Sequence, residues 1–250
     1  MTSAHTVHLV VPCFRESQRI PSFLAELVRE MDRLGGVAVL VVDDGSGATE
    51  VTRMKAVVDE LRPKFLCLRP LLALPENVGK GGAVYASWAA HEMQDWLMFV
   101  DADGSVTASE VSRLIAHVRS NNTTAQAFFG SRVKMLGRKV DRLLQRHLMG
   151  RIFATLVSEM LDVAVYDSQC GLKMVERNLF SRVQPQLQTR GFAFDVELMV
   201  SVLDSGGSIE EFPIDWHETP GGKVRLLVDS WGMLLEILAI KKRRGRVASV

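Results

Sequence analysis

A chain of 250 residues, 47% hydrophobic and 24% charged, carries enough apolar material for one large core or two small ones and reads as globular. Its formal net charge of +1 argues against a nucleic-acid binder, although "KKRRGR" at 241–246 gathers positive charge near the end. Cys13, Cys67 and Cys170 show no CxxC spacing, so neither a disulfide framework nor a zinc site is expected, and a reducing cytosolic compartment fits.

The opening stretch "MTSAHTVHLVVPCF" has no basic leader with an apolar core and cleavage site, and its apolar part is strand length. Up to about residue 130, short apolar runs alternate with helical patterns. The runs are "VHLVVPC", "VAVLVVDD", "KFLCLRP", "WLMFVDAD" and "AFFGSR". Between them lie segments such as "PSFLAELVREMDRLGG", which ends in glycines as a helix should, and "GGAVYASWAAHEM". The alternation predicts α/β architecture: βαβ units and a mostly parallel sheet flanked by helices, with ligands at the carboxyl ends of the strands. Glu16 follows the first run, Asp43 and Asp44 the second, Asp101 and Asp103 the fourth.

Beyond residue 130 the pattern changes. Arg138 to Leu161 combines Arg138, Lys139, Arg142 and Arg146 with apolar residues spaced by three and four, which predicts a basic amphipathic helix. A last apolar helix is predicted from Leu226 to Ile240, running into the basic tail. Its roughly 15 residues would span about 22 Å, short of the ~30 Å of a bilayer's hydrocarbon core, so it suits lying on a membrane rather than crossing one. With no repeats and no evident linker, residues 1–250 read as one domain, with a ligand half at 1–130 and an accessory half at 131–250.

The stretch "LMFVDADGSVTASE", Leu97 to Glu110, holds the sharpest chemistry. A calcium loop fails, because the glycine and glutamate it needs at its sixth and twelfth positions are Val106 and Ser112. A dinucleotide fingerprint is missing where "PCFRES" follows the first run, and "ENVGKGGA" lacks P-loop spacing. A lone DxD is by default a polar turn; here it has company. Carboxylates at i and i+2 of an extended segment point the same way, so Asp101 and Asp103 can grip a hard divalent cation that keeps sites for phosphate oxygens. Glu16 and Asp44 can accept hydrogen bonds from a base or ribose, and Lys80 at a glycine-rich helix start can meet phosphate charge. Together they describe a cradle for a nucleoside diphosphate.

The ordered set "VVPCFRES", "VVDDGS", "NVGKGGA", "DADGS", "GSR", "DSQCGLK", "GFAFDVEL" and "PGGKVRLLVDS" resembles family 2 glycosyltransferases of the GT-A fold. More narrowly it is similar to the branch acting on dolichyl phosphate with glucose, close to the polyprenyl-phosphate mannosyltransferases. The resemblance runs from Val10 to about Lys242; Phe14 and Arg15 stand where the family's "PAYNE" has tyrosine and asparagine, and Glu16 is kept. It implies that Pro12, Glu16 and Asp44 meet the nucleoside, with Lys80, Gly81 and Asp101 near the base or phosphates. It further implies that Asp101 and Asp103 hold Mg2+ or Mn2+, with Ser105 as an extra ligand. Arg132 and Arg146 would contact lipid phosphate, Asp167 and Gln169 would shape the acceptor pocket, and Lys223, with Arg225 as a weaker companion, would close over donor or acceptor. Asp103, Arg132, Arg146, Lys223 and Asp195 form the implied catalytic set.

The implied reaction moves a hexose, glucose from UDP-glucose, onto a polyprenyl phosphate (dolichyl or undecaprenyl) with inversion. A phosphate monoester, with a second pKa of about 6, needs no general base at neutral pH. A sugar hydroxyl acceptor would need one, with Asp195 or Glu197 as candidates; GDP-mannose is the alternative donor, and a non-catalytic nucleotide-sugar binder a third reading. Peripheral attachment to the cytoplasmic face of a membrane is expected through the two apolar-faced helices and the cationic tail. Plainer readings stand beside these: Arg146 as a solvated arginine, Asp195 and Glu197 as helix-capping acids, His217 as structural, and Cys170 as a packing thiol.

Overall fold

Residues 5–90, 94–120, 123–141, 144–217 and 226–247 are described by the computed structural model, the side chains of 144–149, 226–231 and 246–247 excepted. The first half folds as Val7–Cys13 (β1), Ile20–Leu34 (α1), Val37–Asp43 (β2), Ala48–Leu61 (α2), Leu72–Ala73 (β3), Lys80–Ala89 (α3), Trp96–Val100 (β4), Ala108–Arg119 (α4) and Ala127–Ser131 (β5). The second half adds Val140–Asp141 (β6), Leu144–Leu161 (α5), Leu172–Glu176 (β7), Arg177–Val183 (α6), Phe194–Asp204 (α7), Ile209–Pro213 (β8), Trp216–His217 (β9) and Leu226–Val247 (α8).

β2, β4 and β5 are buried at every position and β1 at all but Pro12. Apolar runs broken only by His8 and the terminal Asp43 and Ser131 are what strands covered on both faces require. Side chains alternate between two cores. Leu9 and Val11 face Leu24, Leu27, Met54 and Leu114, whereas Val10 and Val42 face Ala83, Trp88, Phe180, Val200 and Ile237. The sheet order is β3-β2-β1-β4-β7-β5-β8. β1 runs parallel to β2 and β4, pairing Cys13 with Asp43 and Val10 with Phe99, so those strands end together. β7, from the second half, inserts antiparallel between β4 and β5, pairing Leu172 with Val100 and Lys173 with Phe129. The start of β7 therefore meets the ends of its neighbours, and one edge collects residues 44, 101, 132 and 171.

Three boundaries differ from the sequence reading. "KFLCLRP" makes a single bridge, Leu68 to Val39, rather than a strand. Lys64 and Phe65 are still turning, their N–H groups bonded to Leu61 O, and Pro70 offers no N–H for a ladder. The helix predicted from Arg138 begins at Leu144, because Gly137, at φ 84°, turns the chain and Val140–Asp141 pairs with Trp216–His217. His217 Nδ1 sits 3.0 Å from Asp141 Oδ2 there, a structural placement.

The third difference concerns the basic tail, which is the last stretch of α8. Arg243 binds the Glu197 carboxylate and donates to Thr189 Oγ1 at 2.9 Å, while Arg244 grips Asp204 through Nε and Nη2 at 2.7 and 2.6 Å. Two of the cations assigned to a leaflet thus face carboxylates of their own chain. Glu197, buried, also accepts from the N–H groups of Gln188 and Thr189 at 2.9 and 2.6 Å, which makes it a structural tie rather than a cap or a base. Among the described residues no helix is long and apolar enough to cross a membrane. Arg243→Gln removes the cation from a buried carboxylate, and urea denaturation should show a loss of about 1–3 kcal/mol.

Candidate active site

At the carboxyl edge of the sheet lies a cavity of about 340 Å³ lined by Pro12, Glu16, Asp44, Lys80, Asp101, Asp103, Ser105, Arg132, Gln169 and Asp195, with Phe14, Arg19, Phe192, Trp216 and Met233 completing its walls. Most of the residues singled out in the sequence meet here. Gly81 and Asp167 stand behind the wall; Arg146 lies on α5 with its side chain outside the described part, and Lys223 and Arg225 lie outside the described residues.

The acidic pair is positioned by the backbone. Asp101 N donates to Gly171 O at 2.9 Å, and a Cβ on Gly171 would stand 2.2 Å from Asp101 Oδ2, so that glycine gives the carboxylate its place. Gly104, at φ 72°, turns the chain so that Ser105 N caps Asp103 Oδ1 at 2.9 Å. Burial, then the charge of Asp101, raises the pKa of Asp103, against the Ser105 hydrogen bonds. Two like charges close together in a half-buried wall are what a divalent cation relieves. Among the described residues no cluster of three or more His, Cys, Asp or Glu could hold a metal ion; two carboxylates alone suit only a cation that fills its other sites with ligand oxygens and water.

Lys80 opens α3, directly after Gly79 at φ 85°. Its Nζ lies 2.6 Å from Asp101 Oδ1 and about 5–6 Å from the ring centres of Phe99 and Phe194. Burial disfavours the ammonium, but Asp101, Asp195 and Asp103 outweigh it and raise its pKa. The neighbouring glycine has a packing role. Gly81 N donates to Arg190 O at 2.8 Å, and a Cβ there would meet Phe194 Cβ at 2.4 Å; Gly81 lets α3 start against the 190–194 segment.

Glu16 is gripped by Arg19, with Nε and Nη2 at 2.7 and 2.6 Å from its two oxygens. Asp44 Oδ1 accepts from Val78 N at 2.7 Å; burial raises its pKa in spite of the Val78 and Gly79 N–H groups. Across the cavity, Arg132 and Asp167 form a fork-to-fork pair at 2.6 and 2.7 Å, and Arg132 Nη2 also reaches Gln169 O at 3.2 Å. Burial would raise the Asp167 pKa, but the guanidinium holds it well below the ordinary carboxylate range. Asp167 thus orients Arg132. Gln169 Nε2 points to Met233 Sδ at 3.0 Å, and Glu236 accepts from Ala193 N at 2.9 Å, so α8 closes the cavity. Cys170 is fully buried and its thiol is pushed up to about 12 by that burial, a packing role.

Sequence reasoning missed Lys173. Fully buried in β7, its Nζ bonds Cys170 O at 2.7 Å and lies 3.2 Å from Asp195 Oδ1. The signal was present as a lysine in the apolar strand "GLKMVE". Asp195, itself buried, has its pKa raised by burial first, against Lys173 and Lys80. Arg19 and the apolar wall of Phe192, Trp216 and Met233 carried no readable pattern, since each is brought in by a different element.

The model of the glycosyl transferase family 2 matches residues 8–183. The chain belongs to that family. It is a glycosyltransferase. It is 29% identical over 246 residues to the dolichyl-phosphate beta-glucosyltransferase of Saccharomyces cerevisiae, covering 93% of this chain and 73% of that protein. To the Homo sapiens protein of the same name it is 29% identical over 238 residues, covering 90% and 71%. Among solved structures, glucosyl-3-phosphoglycerate synthase from Mycobacterium tuberculosis in complex with UDP superposes with a TM-score of 0.71 at 19% identity, covering 96% of this chain and 80% of that one. The fold is that of the GT-A glycosyltransferases.

Lys173→Met leaves the Asp195 carboxylate without its ammonium partner and should cost about 3–5 kcal/mol in denaturant unfolding. Lys173→Met combined with Asp195→Leu should recover most of that loss; a double variant as unstable as the single one would show that the pair is not coupled.

Proposed function

We propose that this glycosyltransferase moves glucose from UDP-glucose onto a polyprenyl phosphate, inverting the anomeric centre. The observation that carries the reading is Arg132: its guanidinium lines the same cavity as Asp101 and Asp103, and its Nη1 forms no hydrogen bond to a described residue. An incoming phosphate dianion needs a cation to align it and no base to activate it. The names of the yeast and human relatives support the same acceptor.

In this reading Pro12, Glu16 and Asp44 take the nucleoside, with Glu16 preorganised by Arg19. Asp101 and Asp103, with Ser105, would hold Mg2+ or Mn2+, which when bound supplies charge stabilisation to the departing diphosphate. Lys80 adds a fixed positive charge beside them, and Asp167 keeps Arg132 aimed at the acceptor. Gln169 shapes the acceptor side, while Arg146 and Lys223 join the acceptor set on the resemblance alone. Exposed Ile152 and Leu156 on α5, with Leu235 and Leu238 on α8, support peripheral contact with a membrane, on its cytoplasmic face. The halves 1–130 and 131–250 divide the work into donor and acceptor sides of one domain.

A second reading has its own observation. Asp195 lines the cavity and its raised pKa suits a general base toward a sugar hydroxyl. The two readings part at Asp195→Asn. Transfer to lipid phosphate should survive that change within about tenfold, whereas a hydroxyl-acceptor reaction should fall by about 10²–10⁴.

Purified protein given labelled UDP-glucose, or separately GDP-mannose, should place label in the organic phase only when Mn2+ and a polyprenyl phosphate are both present. Label confined to water-soluble products would sink the lipid reading, and label from GDP-mannose alone would replace the donor. Mn2+ should also raise the melting temperature at pH 7. Because the folded state holds the Asp103 pKa up, its ionised form costs stability as pH rises through that value, and the cation offsets this only above it. The Mn2+ shift should therefore shrink toward pH 4, and Asp101→Asn with Asp103→Asn should remove it at both.

A further inference from the structure

Residues 132–140, "RVKMLGRKV", carry four basic side chains and no acidic one, with two apolar residues in the middle. Leu136 is 100% exposed and Met135 50%. They owe this to a turn: Arg138 N donates to Met135 O at 3.1 Å, and Gly137 at φ 84° takes the position that only a glycine adopts without strain. Leu136 is left at the crest.

The feet of this turn are fastened while its crest is not. On one side Arg132 is locked to Asp167; on the other, Arg138 Nη1 stands 3.5 Å from Glu110 and 3.9 Å from Asp215, and Lys139 N donates to Asp215 Oδ1 at 2.8 Å. Lys139 O accepts from Trp216 N at 2.9 Å, so both feet end on cavity-lining residues, Arg132 and Trp216. Lys134 and Lys139 are exposed, and neither forms an ion pair with a described residue. A turn anchored at both feet that presents an exposed leucine between two ammonium groups unpaired among the described residues has the chemistry that suits a surface apolar beneath and anionic at its face.

We propose that residues 133–139 form a membrane-insertion turn: Met135 and Leu136 enter the apolar layer of an anionic bilayer while Lys134 and Lys139 meet lipid phosphates. This sets the cavity mouth, at Arg132, against the lipid surface. It is a contact separate from the apolar residues of α5 and α8, and it takes its purpose from the lipid-phosphate acceptor proposed above. Its occupancy is measurable without any donor or acceptor.

The test uses the full chain and sucrose-loaded vesicles, either of phosphatidylcholine alone or mixed with phosphatidylserine. The protein should sediment with the mixed vesicles and poorly with the neutral ones. Met135→Ser with Leu136→Ser should weaken that binding about tenfold or more, because the apolar transfer is lost. Lys134→Gln with Lys139→Gln should weaken it by a similar factor and flatten its salt dependence. Wild-type binding by both variants, or no binding by the unaltered protein, would overturn the proposal. A direct readout comes from Leu136→Cys carrying a polarity-sensitive fluorophore, with Cys13, Cys67 and Cys170 buried and protected from labelling. Its emission should shift to the blue on mixed vesicles; an unshifted spectrum with the protein fully bound would also overturn it. If the acceptor reading is wrong but the turn is right, no prenyl phosphate is glycosylated while vesicle binding and the blue shift remain. If the turn is wrong but the acceptor reading is right, a short water-soluble prenyl phosphate is still used at the wild-type rate by Met135→Ser with Leu136→Ser, and vesicle binding is unchanged.

Discussion

A line of alternating charge runs from Lys173 on β7 and Asp195 on α7, both buried, to Lys80 on α3 and Asp101 at the end of β4, both half-buried at the cavity. Each charge is expensive to bury alone, and each is tolerable only while its neighbours are within reach. The line therefore forces four separate elements into one arrangement. Phe99, Phe129 and Phe194 surround the two ammonium groups, excluding water and presenting ring faces to the cations. Counting Asp103, three carboxylates face two lysines, and the surplus negative charge lies on the side of the cavity where the DxD pair opens. The same constraint that closes the fold leaves its site short of one positive partner.

Much of the cavity's first-half wall was legible in the sequence, for a physical reason. Parallel strands buried on both faces must be apolar throughout, so the first polar residues after them announce the sheet edge where ligands gather. Asp44, Asp101 and Asp103 are found this way, and Glu16 is pinned by the short turn after β1. The wall supplied by the second half was less legible because it is built from distant pairings. β7 reverses between β4 and β5, and Lys173 takes its meaning from Asp195, which the intervening loop and helix separate from it in sequence. Arg132 and Asp167 were both noticed, yet nothing in their spacing told that they grip each other.

The misread boundaries share a cause. Periodicity carried the α5 pattern back to Arg138, but Gly137 and the pairing of Val140–Asp141 with Trp216–His217 override it. At the other end, "KKRRGR" read as a free cationic tail because its partners, Glu197 and Asp204, sit on α7. A run of like charge in sequence says nothing of the carboxylates that folding will bring to it. Conversely, Arg138 and Lys139 were read as the start of a helix and emerged as the foot of a turn whose apolar crest, Met135 and Leu136, nothing in the described structure covers.

Met233 and Glu236 of α8 supply part of the cavity wall and hold the segment before α7 in place. In chain order, the cavity carboxylates Glu16, Asp44 and Asp101 are synthesised long before the helix that closes the cavity. A nascent chain emerging from the ribosome therefore carries these carboxylates with no wall beside Gln169. Closure of the cavity waits for α8, and a product truncated before residue 226 would keep the carboxylates of the first half without the wall that encloses them.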